Sequence, residues 1–454
     1  MRVQRSKPSM PTMITGDGDG VANHTGTRAL AELADRSGLT DALDQRPAGR
    51  RQRRSRHAPG AVLRDVAVML ADGGAFLSDL DVLAGQRDLF GDVASVPTAW
   101  RTIEAVAADD LGGIDALRRA KATAMAWAWD QAGGVPLVDG MLVIDVDATH
   151  VIAHSDKVGA GGTYKGAFGF YPLLGYVDHG PDATGEPIAG LLRAGNAGSN
   201  TVVDHHDIVT QLLDGLPVTP EQAPMLVRCD SAGASHGFVD ALAEAGIAFS
   251  VGFPCDDRVR TAVLDLPATA WRHAATQDGQ RRDGAQVAEL HSLDLSGWPP
   301  GTRAIARRER PHPGAQLTFT DADGWRVQVF VTDQPDADIV DLERRHRAHA
   351  RVEDRIRDAK DTGLATLPFG DWQRNEVWLE LVLIAQSLLA WLQRLCLDGD
   401  LAKATPKTLR YRLLHVAARL VVHARTLHVR LQRTWPWTPH LTAAFTRLRA
   451  LPAA

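Results

Sequence analysis

The sequence predicts an α/β fold: a mixed-sheet core flanked by helices, interrupted by a β-rich insertion, with helical N- and C-terminal regions. Three observations carry this. Two short β-branched or apolar runs, residues 141–146 and 225–229, each meet an aspartate at or near their ends. Apolar residues recur at helical spacing before residue 117 and again after residue 372. Between 255 and 334 the chain breaks into short strand-like segments instead.

Taken in order, residues 1 to about 25 are rich in Gly, Asp, Ser and Pro and read as disordered. Residues 27–43 and 61–83 carry helical periodicity around an arginine cluster that includes Arg50, Arg51, Arg53 and Arg54, and Pro97 opens a further helix toward Leu117. Residues 1–135 are therefore expected to be a helical DNA-binding region with a basic loop, its arginines on phosphates. The competing reading is a helical interaction module whose loop is merely solvated.

Beyond Gly140, residues 141–146 read as a buried central strand. Alternation places Asp145 and Asp147 on one face, with Thr149 beyond them. A carboxylate there is costly unless it is paired or metal-bound. Residues 159–169 are glycine-rich but lack the GK[ST] of a phosphate-binding loop, so a hairpin tip or mobile loop is expected. Residues 170–177 and 187–192 continue an antiparallel meander, and residues 200–213 form a helix. The next strand ends at Asp230, and a helix over 235–245 leads to a strand over 247–253. That order is the order of a ribonuclease-H-like core.

The β-rich insertion is expected over 255–335, with an Asp321–Gly324 turn signal and three tryptophans, Trp271, Trp298 and Trp325. The core, 136–254 in its first part, resumes over 336–400. There the uninterrupted stretch from Asp341 to Gly363 predicts a helix with a polar stripe of His346, His349, Glu353, Arg357 and Lys360 beside an apolar stripe of Val352, Ile356 and Ala359. Residues 401–454 contain ten Lys and Arg and no Asp or Glu, which predicts a basic helical C-terminal region.

Composition bounds the alternatives. The chain of 454 residues, 44% hydrophobic and 23% charged, is long enough for two to four domains. Its net charge of −5 does not announce a nucleic-acid binder, but the basic ends do so locally. Three isolated cysteines exclude a disulfide framework and predict a reducing compartment without structural zinc. The longest apolar run, 377–392, contains Glu380, Gln386 and Ser387 and is too polar and short for a membrane span. A cytoplasmic protein, nucleoid-associated when on DNA, is the expectation.

Three carboxylates remain: Asp147, Asp230 and Glu353. In a mixed sheet crossed by a helix they can converge, and converging carboxylates repel unless they share protons or bind cations. Hard oxygen donors favour Mg²⁺ or Mn²⁺, and two such ions suit phosphodiester displacement.

At these residues the sequence resembles the DDE transposases of bacterial insertion sequences, the insertion-sequence-4-like superfamily and within it the 1380 family. The resemblance rests on VIDVDATHV at 143–151, LVRCDSAGA at 226–234 and RVEDRIRDAK at 351–360. It selects Asp147 over Asp145 as first acid, adds Asp230 and Glu353, and puts Lys360 seven residues beyond the third. His346 and His349 stand where the family has Tyr and Arg. Arg347 or Arg351 would then supply the phosphate contact, and activity would be pH-sensitive near the imidazole pKa of about 6.5. The resemblance implies two Mg²⁺ or Mn²⁺ ions per active site, binding of terminal inverted repeats, a homodimer on element-end and target DNA, and cutting and joining of strands. It also makes Trp298 or Trp325 the candidate to stack on a flipped base, and Lys360 and Arg357 candidates to hold phosphates. The rival readings are a nuclease of the same fold that cuts without joining, and a decayed DNA-binding protein.

Overall fold

The computed structural model describes residues 12–45, 56–163, 166–198, 201–311, 314, 321–322, 324–335 and 337–454. The arginines at 50, 51, 53 and 54 lie outside the described residues. A short strand, β1 (Val21–Ala22), already orders the end of the segment expected to be disordered to about residue 25.

Helices α1 (Arg28–Arg36) and α2 (Leu39–Asp44) replace the single helix expected over 27–43, because Gly38 turns the chain at φ 73°. Next come α3 (Pro59–Asp72), α4 (Asp81–Ala84) and α5 (Arg87–Phe90). A proline in its first turn starts α3, and Gly73 at φ 109° stops it short of the expected residue 83. Then follow α6 (Val96–Ala107) and α7 (Gly113–Gln131), separated by left-handed Asp109 and Gly112. Leu30, Leu33, Val66, Leu70, Ile103 and Met125 are buried in the same hydrophobic core as the sheet. Residues 1–135, expected as a distinct region, thus have no separate core among the described residues.

The central strand β2 (Leu142–Ala148) forms as expected, its first five residues buried. Three short strands, β3 (Val151–Ile152), β4 (Gly161–Gly162) and β5 (Phe168–Phe170), make a small antiparallel sheet, so the glycine-rich stretch includes a hairpin. The meander continues through β6 (Leu173–Val177) and β7 (Glu186–Leu191), both antiparallel to their neighbours. After α8 (Val202–Gly215), β8 (Met225–Cys229) lies parallel to β2. After α9 (His236–Glu244), β9 (Ala248–Phe253) lies parallel to β8.

The β-rich segment departs from expectation. It opens with a helix, α10 (Asp257–Leu264), followed by β10 (Arg272–Ala275), β11 (Arg281–Glu289), β12 (Arg303–Glu309), β13 (Asp321–Ala322) and β14 (Trp325–Thr332). Instead of standing apart as a module, it extends the core sheet. The order is β10-β11-β12-β14-β9-β8-β2-β6-β7, with β14 antiparallel to β9 at Val331↔Val251. That pairing satisfies the backbone groups that an edge at β9 would leave open.

The helix expected over 341–363 is a composite. It comprises α11 (Ile339–Arg347), a tighter turn over Ala348–Ala350, α12 (Arg351–Ala359) and a wide turn over Lys360–Leu364. Val352, Ile356 and Ala359 are buried, as the apolar stripe predicts. Gly363 ends the run at φ 105°, where an added Cβ would lie 2.6 Å from Leu70 Cδ2. Gly363→Ala is therefore expected to lower stability by about 1–3 kcal/mol in chemical denaturation, combining backbone strain with a clash against α3.

The hub is α13 (Trp372–Cys396), around which α1, α3, α6 and α7 pack. It is long and apolar enough to cross a membrane by length and composition, yet 89% of its most apolar window is buried in the fold. Trp378 and Trp391 are fully enclosed. Burying each large apolar side chain contributes roughly 1.5–3 kcal/mol.

The C-terminal region is not wholly helical. Between α14 (Pro406–Leu409) and α15 (Thr438–Ala450) lies a hairpin, β15 (Ala418–His423) and β16 (Thr426–Leu431). Its two-residue turn has Ala424 at φ 48° and Arg425 at φ 64°, the positive pair that matches strand twist. β1 adds to β15 through Ala22↔Ala418, fastening the N-terminal segment to the C-terminal one.

Candidate active site

The three predicted acids lie on or beside two neighbouring parallel strands and one helix, near enough for the charges of Asp230 and Glu353 to act on Asp147. Asp147 sits near the end of β2, half-buried, and its carboxylate accepts the Ala148 N–H at 2.7 Å. Asp230 follows β8 directly, is exposed, and accepts the Ala232 N–H at 2.9 Å. Glu353 is exposed in the first turn of α12.

The acids feel one another. Burial lifts the Asp147 carboxyl to about 6; His349 opposes this, while the charges of Asp230 and Glu353 push it further up. Among the described residues, the one trio of His, Cys, Asp or Glu whose ligand atoms all lie within 4.8 Å is His24, Asp72 and His415. The ligand atoms of the three acids thus do not all lie that close, although the charges of Asp230 and Glu353 act on Asp147. Three hard, mutually repelling carboxylates, two of them open to solvent, form a donor set suited to a divalent cation.

Beneath Asp147 lies a buried ion network. Asp145, two residues back on the same face of β2, is fully enclosed. It takes two hydrogen bonds from Arg228, at 2.8 and 2.9 Å, one from Arg355 at 2.6 Å, and pairs with His349 Nδ1 at 2.9 Å. Asp178, just past β6, receives Arg228 at 2.7 Å, Arg355 at 2.6 Å and Arg351 at 2.9 Å. Burial works against both carboxylates, but Arg228 and His349 hold Asp145, and Arg355 and Arg228 hold Asp178, below the usual range. Arg355 and His349 belong to the Glu353 helix and its preceding turn, so the network fixes that helix on the sheet. Asp145 is saturated by these partners, whereas Asp147 keeps an oxygen available.

Arg228, Arg355 and Asp178 did not emerge from the sequence as functional residues. One signal was there: an arginine inside the buried run MLVRC demands a carboxylate, and Asp145 is its register partner across β2 and β8.

The other predicted residues are spread more widely. His346 leaves the expected polar stripe. It stacks on Phe330 at 4.3 Å, shares a hydrogen bond with Ser250 Oγ at 2.9 Å, and burial pulls it down to about 3. It therefore stays neutral through the physiological range and is no pH switch near 6.5. Arg347 is bound by Glu343 at 2.8 Å and by the Ala275 carbonyl, and Arg351 by Asp178. Arg357 pairs with Asp354 at 2.8 Å on the exposed face, and Lys360 is half-buried. Trp298 packs between His236 and Phe253, at 4.9 and 5.5 Å. Trp325 lies under Arg308 and Arg310, at 4.6 and 4.7 Å.

Among solved structures, the chain is similar to a piggyBac transposase synaptic complex with hairpin DNA, determined by cryo-EM. The TM-score is 0.37 and the identity 10%, over 86% of this chain and 79% of that one. No curated protein matches. The family described as "Transposase DDE domain group 1" matches residues 6–453, nearly the whole chain. The chain belongs to this family of DDE transposases.

Proposed function

We propose that this enzyme binds the terminal inverted repeats of an insertion sequence and cuts and joins DNA at a centre formed by Asp147, Asp230 and Glu353. Within the family it is assigned to the insertion-sequence-4-like superfamily and its 1380 family, with β2 and β6–β9 read as a ribonuclease-H-like core. The carrying observation is Asp147, lifted to about 6, on which two acids from separate elements act.

These three residues would hold two Mg²⁺ or Mn²⁺ ions, which when bound supply activation of water or a 3′-hydroxyl and charge neutralisation at the phosphate. The chain's own part is placement. The Ala148 and Ala232 amides orient the Asp147 and Asp230 carboxylates, and the buried arginines hold α12, which carries Glu353, on the sheet. Lys360 and Arg357 border the same helix and are assigned to phosphate contact. Element-end and target DNA are the partners, engaged by a homodimer in the cytoplasm. The segments 1–135, 255–335 and 401–454 are assigned to DNA contact around the core.

The test is incubation of the full chain with labelled element-end DNA and Mg²⁺, beside Glu353→Gln. Joined products from the native chain alone support the assignment. Nicks without joining would mean a nuclease, and binding without cleavage in both proteins a decayed copy.

A further inference from the structure

The β15–β16 hairpin is built with its charges in conflict. Cross-strand partners share a face, so Arg419 and Arg430, paired directly, lie side by side with the Val421↔His428 and His423↔Thr426 pairs. The opposite face is apolar: Leu420↔Val429, Val422↔Leu427 and Ala418↔Leu431. Leu427, Val429 and Leu431 border a hollow shared with Leu89 and Phe445, as do Thr426 and His428, while Val422 and Val429 remain exposed, so the ribbon stands largely open to solvent.

Two like charges directly opposite on a ribbon are destabilising. Residues 401–454 contain no acid that could relieve them from within the segment. Arg419, Arg430, the tip residue Arg425 and the following Arg433 are all exposed. Among the described residues none of the four makes an ion pair or side-chain hydrogen bond. By contrast, Arg447 and Arg449 on the neighbouring α15 are paired with Asp398 and Glu32. The unpaired cations are therefore gathered on the hairpin and its exit, facing solvent from a ribbon with β16 at its open edge.

We infer that the β15–β16 hairpin is a DNA-binding arm whose Arg419–Arg430 face docks on the phosphates flanking a groove of duplex DNA. Strands of six residues give a ribbon roughly 20 Å long. A two-stranded ribbon fits the major groove, about 12 Å wide, and phosphate anions supply the counter-charge that the fold withholds. Arg425 at the tip extends the contact. The inference rests on the reading of the chain as a DNA-joining enzyme, and it locates part of the DNA affinity well away, in sequence, from the three acids.

The experiment is fluorescence anisotropy of a labelled duplex with the full chain in EDTA, across a salt series. Arg419→Gln/Arg430→Gln is compared with Arg447→Gln. The double variant is expected to bind about tenfold more weakly and to flatten the log affinity against log salt slope by about 1.8, two released contacts at about 0.9 each. Its melting temperature should stay level or rise, since a repulsion is removed; Arg447→Gln should keep the native slope. If the native chain binds steeply with salt and the double variant matches it, the arm is overturned while the transposase reading stands. If the native chain binds no duplex, both fall. Equal flattening by Arg447→Gln would reduce the effect to overall charge. A change in sedimenting mass with unaltered DNA binding would assign the β16 edge to self-association instead; either outcome overturns the arm.

Discussion

Asp147→Asn is expected to lose strand cleavage and joining by about 10³-fold or more, and at neutral pH to melt at a higher temperature than the native chain. The loss follows from removing a donor at the reacting phosphate, where about 4 kcal/mol of barrier corresponds to three decades. The gain follows from linkage. Burial first, then Asp230 and Glu353, lift Asp147 to about 6 against the opposing pull of His349. A raised carboxyl binds its proton more tightly folded than unfolded. Stability therefore declines as pH climbs from about 4 to about 6, and the full penalty persists above that range. Two pKa steps correspond to about 3 kcal/mol, which solvent screening of a partly exposed group reduces to about 1–2. Asn carries no such penalty, so the two melting temperatures should differ at neutral pH in EDTA and converge near pH 4. Adding Mg²⁺ should raise the native melting temperature and leave Asp147→Asn nearly unmoved. A variant that melts lower at neutral pH, or that still joins DNA, would remove Asp147 from the centre.

What made the candidate site legible was local. The runs ending in Asp147 and Asp230 are short, β-branched and bounded by turns, so their strands appear within a residue or two of expectation. The apolar spacing of Val352, Ile356 and Ala359 likewise announced which face of the Glu353 helix is buried. What escaped is non-local. Arg228 reaches Asp145 across 83 positions, and Arg355 reaches the same carboxylate across 210. No periodicity encodes such a meeting. The join of β14 to β9 also depends on backbone groups, which every residue but proline carries, and therefore left no pattern to read. The hairpin at 418–431 was obscured for another reason. A run such as LVVHARTLHVRL alternates as a strand does, but its dense arginines and Ala-Arg turn lack the Asn-Gly signal that marks a two-residue loop.

Arg228→Met should cost about 3–5 kcal/mol in urea denaturation at neutral pH, more than any single apolar truncation at the sheet surface. The side chain is 1% exposed, and Met matches its length without its charge. Removing the guanidinium strips Asp145 of a two-point partner and Asp178 of one of three, leaving carboxylates enclosed with less compensation. In the native chain both acids are held below the usual range, so their contribution is present above the ordinary carboxylate pKa of about 4 and is lost only as pH falls through the depressed values. In Arg228→Met the same acids are released upward and can protonate. The deficit should therefore be largest at neutral pH and shrink on acidification toward about pH 5. Adding Asp145→Asn to Arg228→Met should recover part of the loss, because it removes the stranded charge and not a satisfied one. A deficit that is flat with pH, or a double variant worse than the sum of its parts, would mean that Arg228 acts by packing alone. Because Arg355 binds both carboxylates and His349 binds Asp145 from the Glu353 segment, loosening the network also loosens the third acid. DNA joining should then fall in Arg228→Met even where the chain remains folded.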